Sequence, residues 1–253
     1  MIFPAFSAIL GLMVKLSRSK LELFLGCPRC FWLEMTQGIK RPQPPPYTIN
    51  NAVDYLLKQE FDTYRESGTP HPVMKKYKVD AIPYKHEKIN TWRQNFTGVQ
   101  YQHEPTGFLV YGAIDDVWIN PGGELMVVDY KATGAKQHQI YDSYKRQIEI
   151  YQWLLRHNDF VVSPTGYFVF ARVSKAGGFG MGEALRPGSG QALRHGSGQA
   201  ALSFDMFVES YSGDDTWVEP ALFGARETFD LKKSPTAASD CEYCRYGKNA
   251  ANF

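Results

Sequence analysis

The sequence has no apolar run long enough to cross a bilayer, which takes about 20 residues. The apolar stretch near the N-terminus, residues 2–14, is interrupted by a proline, a serine and a glycine and has no basic residues before it. It therefore does not resemble a secretory signal. A second methionine, Met13, opens an amphipathic segment, so we expect residues 1–12 to precede the native start or to form a loosely ordered tail. We expect a cytoplasmic protein with a tail or extension at 1–16.

The sequence also lacks a strong excess of charge of either sign. Its 28 Lys and Arg residues against 26 Asp and Glu residues give a net charge of +2, which by itself does not indicate a nucleic-acid partner. The charges are nevertheless segregated: residues 15–41 and 71–93 each carry a net +4, and residues 204–230 a net −6. A basic half that faces a polyanion fits this pattern, although solvated surface is the commoner explanation. Apolar content of 43% excludes wholesale disorder and suits a single domain over 17–253.

No cysteine stands outside a C-x-x-C motif. One pair lies near the start of the chain and the other near its end: Cys27, Cys30, Cys241 and Cys244. Two residues between thiols let both sulfurs reach one ion or cluster, so the two pairs predict a shared four-thiolate metal site. Disulfides are the alternative in an oxidising compartment. Spacing alone does not separate zinc from an iron–sulfur cluster.

Hydrophobic periodicity predicts an α/β or α+β order of elements around a mixed sheet. A capping-box pattern at Ser19 and Glu22 predicts a helix that runs through the first cysteine pair, and the proline-rich stretch 41–46 predicts an extended linker. The remaining predicted elements are helices over 51–66, about 85–97, 140–157 and part of 217–229, a hairpin of 107–120 and 124–132 around Gly122, and strands over 165–173 and 202–211.

A glycine-rich segment interrupts this pattern. Residues 184–199 are two octads, ALRPGSGQ and ALRHGSGQ, that differ at one position. Such composition buries too little surface to offset its ordering entropy, so we expect a flexible surface insertion at about 175–202. Its Arg186, Arg194 and His195 could contact nucleic acid, but an uninvolved loop is the simpler interpretation.

The predicted hairpin brings two acids and a lysine together. A turn centred on the Pro-Gly-Gly segment pairs residues whose numbers sum to about 244, so Asp115 faces Asp129 at about 5 Å. Lys131 shares their face of the sheet, whereas Tyr130 and Asp116 point to the other face. Like charges opposed across a ladder persist when a cation lies between them, and oxygen ligands suit Mg²⁺ or Mn²⁺. A bulge would exchange the two neighbouring acids, and ordinary surface acids are the structural alternative.

Three short motifs in this order resemble the RecB-like branch of the PD-(D/E)XK nuclease superfamily. That branch has Gly-x-hydrophobic-Asp at a strand end, Asp/Glu-x-Lys on the next strand and Gln-x-x-x-Tyr on the following helix. The matching residues here are Gly112 and Asp115, Asp129 and Lys131, and Gln147 and Tyr151. The cysteine segments are similar to those of the iron–sulfur members, which include CRISPR-adaptation exonucleases and helicase-linked nuclease domains. The resemblance covers most of 17–172 and 240–246.

The resemblance implies a restriction-endonuclease-like core, with a central mixed β-sheet flanked by helices and chain ends joined by the four-cysteine site. It implies a divalent-metal-dependent nuclease that hydrolyses DNA phosphodiester bonds, exonucleolytically, in DNA repair or recombination or in CRISPR-type DNA processing. The implied partners are single-stranded DNA or duplex ends, together with a helicase or a CRISPR-adaptation protein, and no membrane. A non-catalytic nucleic-acid-binding module and a metal-clamped interaction protein are the alternatives.

The resemblance also assigns roles to residues. Asp115, Asp129 and the backbone carbonyl of Tyr130 would hold Mg²⁺ or Mn²⁺, with Asp54 as a further ligand where relatives often have histidine. Lys131 would orient the attacking water and offset negative charge. Gln147 would position the strand or the nucleophile, and Tyr151 would be a supporting core residue with a polar tip.

The cysteines would carry a [4Fe–4S] cluster, with Zn²⁺ as the alternative. Relatives use one cysteine near the N-terminus and three near the C-terminus. Here the division is two and two, and Ala250 stands where the last cysteine is expected.

Overall fold

The computed structural model describes residues 13–45, 47–175, 184–185, 192–193 and 202–251. Within these residues there are ten strands: β1 (Val14–Ser17), β2 (Ile82–Pro83), β3 (Val99–His103), β4 (Phe108–Gly112), β5 (Asp116–Ile119), β6 (Leu125–Thr133), β7 (Thr165–Val173), β8 (Ala184–Leu185), β9 (Ala192–Leu193) and β10 (Phe204–Ser212). The helices are α1 (Arg18–Gly26), α2 (Pro28–Gln37), α3 (Thr48–Ser67), α4 (Pro72–Lys76), α5 (Ile89–Trp92), α6 (Asp142–Arg156), α7 (Val218–Phe229) and α8 (Glu242–Ala250).

The larger sheet has the order β10-β7-β6-β5-β2 and is mixed. Only β6 and β7 in it pair in parallel, and α6 supplies the crossover that a parallel pair requires. The first six residues of β6 are all buried, as expected for a central strand that is covered on both faces. This β6–α6–β7 unit carries most of the predicted motif residues.

Helices cover both faces of this sheet. On one face, α6 and α7 pack with α1 and α2 around Ile148 and Phe168. On the other, α3 packs Phe61 against Trp118 of β5, with ring centroids 5.6 Å apart. The predicted α/β architecture, a mixed sheet flanked by helices, is therefore confirmed.

The predicted strand over 107–120 is not continuous, which corrects the simple hairpin. β4 belongs to a smaller sheet of order β1-β4-β3, whereas β5 belongs to the larger one. Between them the amide of Ile114 donates to the carbonyl of Trp92 at 2.9 Å, which ties the break to α5. Gly98, at φ +58°, lies so close to the Gly112 carbonyl that a side chain would collide with it. The break places Asp115 immediately before β5, where the two sheets meet.

The predicted first helix is also divided, because Cys27 adopts extended backbone at φ −168° and ψ 107°. A proline disfavours helical geometry in the residue before it, and Cys27 directly precedes Pro28, the first residue of α2. The capping-box prediction at Ser19 is wrong: Ser17 caps α1 by accepting a hydrogen bond from the amide of Lys20. The helix expected over 85–97 is a single turn, α5.

Several predicted segments fall wholly or partly outside the described residues. They include residues 1–12 and most of the insertion at 175–202, with Arg186, Arg194 and His195. Within that insertion, β8 pairs antiparallel with β9, so the first residue of each octad lies opposite the second residue of the other. At the N-terminus, β1 pairs with β4 from Val14 onward, so the boundary placed after residue 16 falls inside a strand. No helix of the described chain is both long and apolar enough to cross a membrane.

Candidate active site

A cavity of about 830 Å³ opens where the two sheets meet. We call it the active-site cavity. Its walls come from the start of α1, one face of α3, the break before β5, the exposed end of β6 and the first turns of α6. The lining side chains that could take part in chemistry are Asp54, Lys58, Arg93, Asp115, Lys131 and Gln147.

The strand register places the two predicted acids side by side. Asp116 pairs with Val128 and Ile119 pairs with Leu125, so paired numbers sum to 244 as predicted. One step beyond the ladder, the amide of Tyr130 donates to Asp115 Oδ2 at 3.0 Å. The backbone of β6 thus holds the Asp115 carboxylate beside Asp129.

Asp129 is almost completely buried, with 1% of its surface exposed. Its Oδ1 accepts a hydrogen bond of 2.7 Å from Gln147 Nε2. Its Oδ2 forms an ion pair with Lys131 but receives no directed hydrogen bond. Burial raises the pKa of Asp129 to about 7, Lys131 opposes this rise, and the nearby charge of Asp115 adds to it. A buried carboxylate oxygen whose only partner is an ion pair can also bind a metal cation.

The alternation of side chains along β6 follows the prediction. Lys131 lies on the cavity side, with its Nζ 4.6 Å from the ring centroid of Tyr144. The side chain of Tyr130 points to the opposite face, where its phenol donates to Asp116 Oδ2 at 2.6 Å. Asp116 is fully buried and also pairs with Arg65 and Arg93. Asp116 therefore belongs to a buried ionic network beneath the cavity and does not line it.

Asp54 lies in the same cavity and is joined to Asp115 by a lysine that the sequence analysis missed. Lys58 Nζ donates to Asp54 Oδ2 at 2.7 Å and to Asp115 Oδ1 at 3.1 Å. Burial and then the charge of Asp115 raise the pKa of Asp54. The i, i+4 spacing of Asp54 and Lys58 on α3 was the available signal.

Arg93 is a second residue that the sequence analysis missed. Its Nε donates to the backbone carbonyl of Asp115 at 3.0 Å, and its Nη1 donates to Asp62 at 2.8 Å. The guanidinium thus fixes the main chain at the break before β5. No local pattern indicates this contact, because Arg93 and Asp115 are 22 residues apart.

Gly112 and Tyr151, the first and last residues of the three motifs, lie in contact at the wall of the cavity. Tyr151 is 3% exposed, and a Cβ on Gly112 would overlap Cε1 of its ring. Glycine at this position therefore lets α6 approach the end of β4. This approach lets Gln147, one turn earlier on the same helical face, reach Asp129.

The residues of the active-site cavity fit a hard divalent ion. Asp115 and Asp129 supply carboxylate oxygens, which Mg²⁺ and Mn²⁺ prefer. The amide and carbonyl of one strand residue point to the same sheet edge. Since the Tyr130 amide points to Asp115, the Tyr130 carbonyl is directed to the same side, beyond the end of β5. Three oxygen ligands from Asp115, Asp129 and Tyr130 are therefore available on one side of β6.

The raised pKa of Asp129 predicts an unusual pH dependence of stability. A carboxyl group whose pKa is higher in the folded state favours folding below its ordinary pKa near 4, and this contribution is lost as the pH rises to about 7. In buffer freed of divalent ions by resin, we expect Asp129→Asn to gain thermal stability relative to wild type between pH 4 and pH 7. Thermal melts measured by circular dichroism across this range test the prediction. The matched variant Asp205→Asn, at an exposed acid on β10, should show no such gain, and an equal gain in both would contradict it.

The four cysteines come together at the other end of α1. Cys27 and Cys30 flank the start of α2, and Cys241 and Cys244 flank the start of α8. Their sulfurs all lie within 4.8 Å of one another, with individual separations of 3.5, 3.7 and 3.9 Å. The predicted clustering of the chain ends around one four-thiol site is confirmed. Four thiols this close could hold a metal ion.

These separations fit one tetrahedral ion. With metal–sulfur bonds of about 2.3 Å, four thiolates around zinc lie about 3.8 Å apart. In a [4Fe–4S] cluster each thiolate binds a different iron, so the sulfurs lie farther apart than they do around a single ion. Arg41 Nη2 donates to Cys241 Sγ at 3.4 Å, which offsets part of the negative charge of four thiolates.

Comparisons with known proteins agree with the motif pattern. The family model described as the PD-(D/E)XK nuclease superfamily matches residues 15–248. A solved structure described as "Crystal structure of SSO0001" is 14% identical, with 95% of this chain and 87% of that chain covered and a TM-score of 0.42. The search of curated proteins found no match. Because the family model matches nearly the whole described chain, the protein belongs to the PD-(D/E)XK nuclease superfamily.

Proposed function

We propose that the chain is a divalent-metal-dependent nuclease that hydrolyses DNA phosphodiester bonds from strand ends, in DNA repair or recombination or in CRISPR-type DNA processing. The observation that carries this proposal is that Asp115 and Lys131 line one open cavity and that Asp129 is buried directly beside them, paired with Lys131. Burying two like charges side by side costs free energy, so such pairs are typical of sites that bind a cation or catalyse a reaction. Family membership gives the reaction class.

Mg²⁺ or Mn²⁺ would be held by Asp115, Asp129 and the Tyr130 carbonyl, with Asp54 as an outer member of the set. Such an ion lowers the pKa of a bound water and neutralises charge on the phosphate. The chain's contribution is to hold its oxygen ligands in place before substrate arrives. The Tyr130 amide holds Asp115, and Gln147 holds Asp129.

Lys131 is the side chain best placed to act on the substrate. Its ammonium group is paired with Asp129, rests over the Tyr144 ring and remains 19% exposed to the cavity. A cation in this position can orient a water and stabilise negative charge that develops on the phosphate. The ring beneath it limits the positions that the flexible side chain can adopt.

The two ion pairs of Lys58, with Asp54 and Asp115, favour a non-catalytic nucleic-acid-binding module. With Lys58 and Lys131 in place, Asp54, Asp115 and Asp129 each have a cationic partner without any metal ion. Against this alternative, Asp129 is almost completely buried and the charge of Asp115 adds to the rise in its pKa despite Lys131, so a further cation between the two carboxylates would be favoured. We therefore place catalysis first.

For the cysteine site we propose a single Zn²⁺ ion, with a [4Fe–4S] cluster as the alternative that the resemblance suggests. The support is that three sulfur pairs lie 3.5, 3.7 and 3.9 Å apart and all four sulfurs lie within 4.8 Å of one another. Its role would be structural, because four thiolates leave no open coordination position for a substrate.

A cleavage assay tests the nuclease proposal. Linear DNA with a labelled end, single-stranded or duplex, is incubated with wild-type protein and Mg²⁺ or Mn²⁺, beside a covalently closed circle. We expect ion-dependent shortening of linear DNA and survival of the circle. Cleavage of the circle would contradict action from strand ends. Linear DNA that stays intact with either ion would contradict the nuclease.

A further inference from the structure

A second groove, of about 740 Å³, is lined in part by Cys30, Cys241 and Cys244 of the cysteine site. One wall is the segment after α2, with Ile39 and Arg41, and the other is α8, with Tyr243 and Tyr246. We call it the tyrosine groove. It contributes nothing to the active-site cavity, since the two share no lining residue.

The tyrosine groove is positively charged. Its lining includes five cationic side chains and no acidic one: Arg29, Lys40, Arg41, Arg245 and Lys248. The neighbouring acid Glu242 is exposed and lies 3.7 Å from Arg245. A filled cysteine site would carry a net negative charge, which Arg41 partly offsets through Cys241. Arg29, Lys40 and Lys248 then remain to attract a polyanion.

The same groove exposes flat rings. Tyr246 is 77% exposed and Tyr243 is 45% exposed. The Arg41 guanidinium lies 4.7 Å from the ring centroid of Tyr243, which orders one ring and its cation. Within the described residues, α8 has no buried side chain, so packing alone does not account for two tyrosines on this helix. Exposed aromatic rings interleaved with cations are typical of surfaces that bind unpaired bases.

We infer that the tyrosine groove binds a single strand of nucleic acid, with bases stacked on Tyr246 and Tyr243 and phosphates paired with the surrounding Lys and Arg. A single strand is the fitting occupant because duplex bases are stacked on each other and cannot stack on the rings. The inference rests on the proposed function and extends it by a second contact with the substrate.

Helix α1 connects the two sites. Its first residue, Arg18, lines the active-site cavity, and its last, Gly26, precedes Cys27 of the cysteine site. Nine helical residues span about 13 Å, the length of a few nucleotides. The tyrosine groove and the active-site cavity therefore lie at opposite ends of one short helix, close enough for a single strand to contact both.

The test is binding of fluorescein-labelled oligo(dT), 20 nucleotides long, measured by anisotropy without divalent ions. All variants are made in an Asp129→Asn background. We expect Tyr246→Ala to weaken binding by roughly 5- to 150-fold, the effect of losing one stacked base. Tyr246→Phe keeps the ring and should bind like the parent. A 20-bp blunt duplex should bind Tyr246→Ala and the parent equally.

A charge variant gives an independent readout. Lys248→Ala should reduce the slope of log affinity against log salt by about 1, as expected for one lost phosphate contact. The matched variant Lys85→Ala, at an exposed lysine that pairs with Glu66, should leave the slope unchanged. Thermal melts of all variants should coincide, since the altered side chains are exposed.

Two results would overturn the inference: equal oligo(dT) affinity of Tyr246→Ala and its parent, or an equal loss in Tyr246→Phe. A groove built for a protein partner would give the first result. The inference and the nuclease proposal fail separately. If binding depends on the Tyr246 ring but the wild type does not cleave DNA, the groove inference stands and the nuclease proposal is rejected. If the wild type cleaves DNA but binding does not depend on the ring, the nuclease proposal stands and the groove inference is rejected.

Discussion

Replacing Asp129 with asparagine is expected to lower Mg²⁺-dependent DNA cleavage by at least about 10²- to 10³-fold, comparable to the loss of one preorganised group in other active sites. Asparagine has nearly the same shape and can still accept the hydrogen bond from Gln147, so the fold should persist. What is lost is the charge that holds a cation and anchors Lys131. The measurement is the initial rate on end-labelled DNA over a range of Mg²⁺ concentrations. Lys131→Ala should produce a loss of similar size.

Two controls make this prediction specific to the active-site cavity. Asp205→Asn alters an exposed acid on β10 that pairs with Arg172, and it should cleave at the wild-type rate. DNA binding by Asp129→Asn should also stay within a few-fold of wild type, because removing a negative charge does not repel a polyanion. Cleavage by Asp129→Asn and Lys131→Ala at the wild-type rate would exclude catalysis at this site.

The geometry of the β5–β6 hairpin could be predicted because it depends on local rules. A turn around Gly122 fixes which residues pair, and alternation along a strand fixes which side chains share a face. These two rules place Asp115, Asp129 and Lys131 together, and the observed register of Asp116 with Val128 agrees. The roles of these residues in a reaction remain predictions.

The break before β5 could not be predicted, because its cause is not local. Residues 107–120 have a continuous strand pattern, but β4 leaves the hairpin to pair with β1 and β3. Gly98 and Trp92 fix the break from another part of the chain. The contacts of Arg93 and Lys58 with Asp115 are distant in sequence as well, and only the i, i+4 pairing of Lys58 with Asp54 had a local signal.

The cysteine motifs predicted that four thiols meet but not how the chain turns to present them. The expected single helix through Cys27 would carry its two thiols on one continuous helix. Instead Cys27 is extended and Cys30 lies in the first turn of α2. Motif spacing therefore predicts which thiols come together more reliably than it predicts the backbone that carries them.

Removing the metal from the cysteine site should destabilise the whole chain. The site joins α2 to α8 across 211 residues, as counted from Cys30 to Cys241, and links that close long loops stabilise most. Structural zinc contributes about 10–16 kcal/mol of binding free energy in small zinc peptides. If a third of this binding free energy contributes to the free energy of unfolding, removing the metal should lower the melting temperature of a chain of this size by about 10 °C or more. We expect Cys241→Ser to show this loss in a thermal melt.

A chelator gives the matched control for this prediction. It should lower the melting temperature of the wild type to that of Cys241→Ser and leave the variant unchanged, because both treatments remove the same ion. Elemental analysis identifies the ion: one zinc per chain without sulfide supports the single-ion site, whereas iron with acid-labile sulfide supports a [4Fe–4S] cluster and contradicts it. A wild type that contains no metal and melts like Cys241→Ser would contradict a structural metal at this site. Cleavage should decline with the melting transition, since Arg18 and Gly26 lie on one helix and loss of the cysteine site loosens a wall of the active-site cavity.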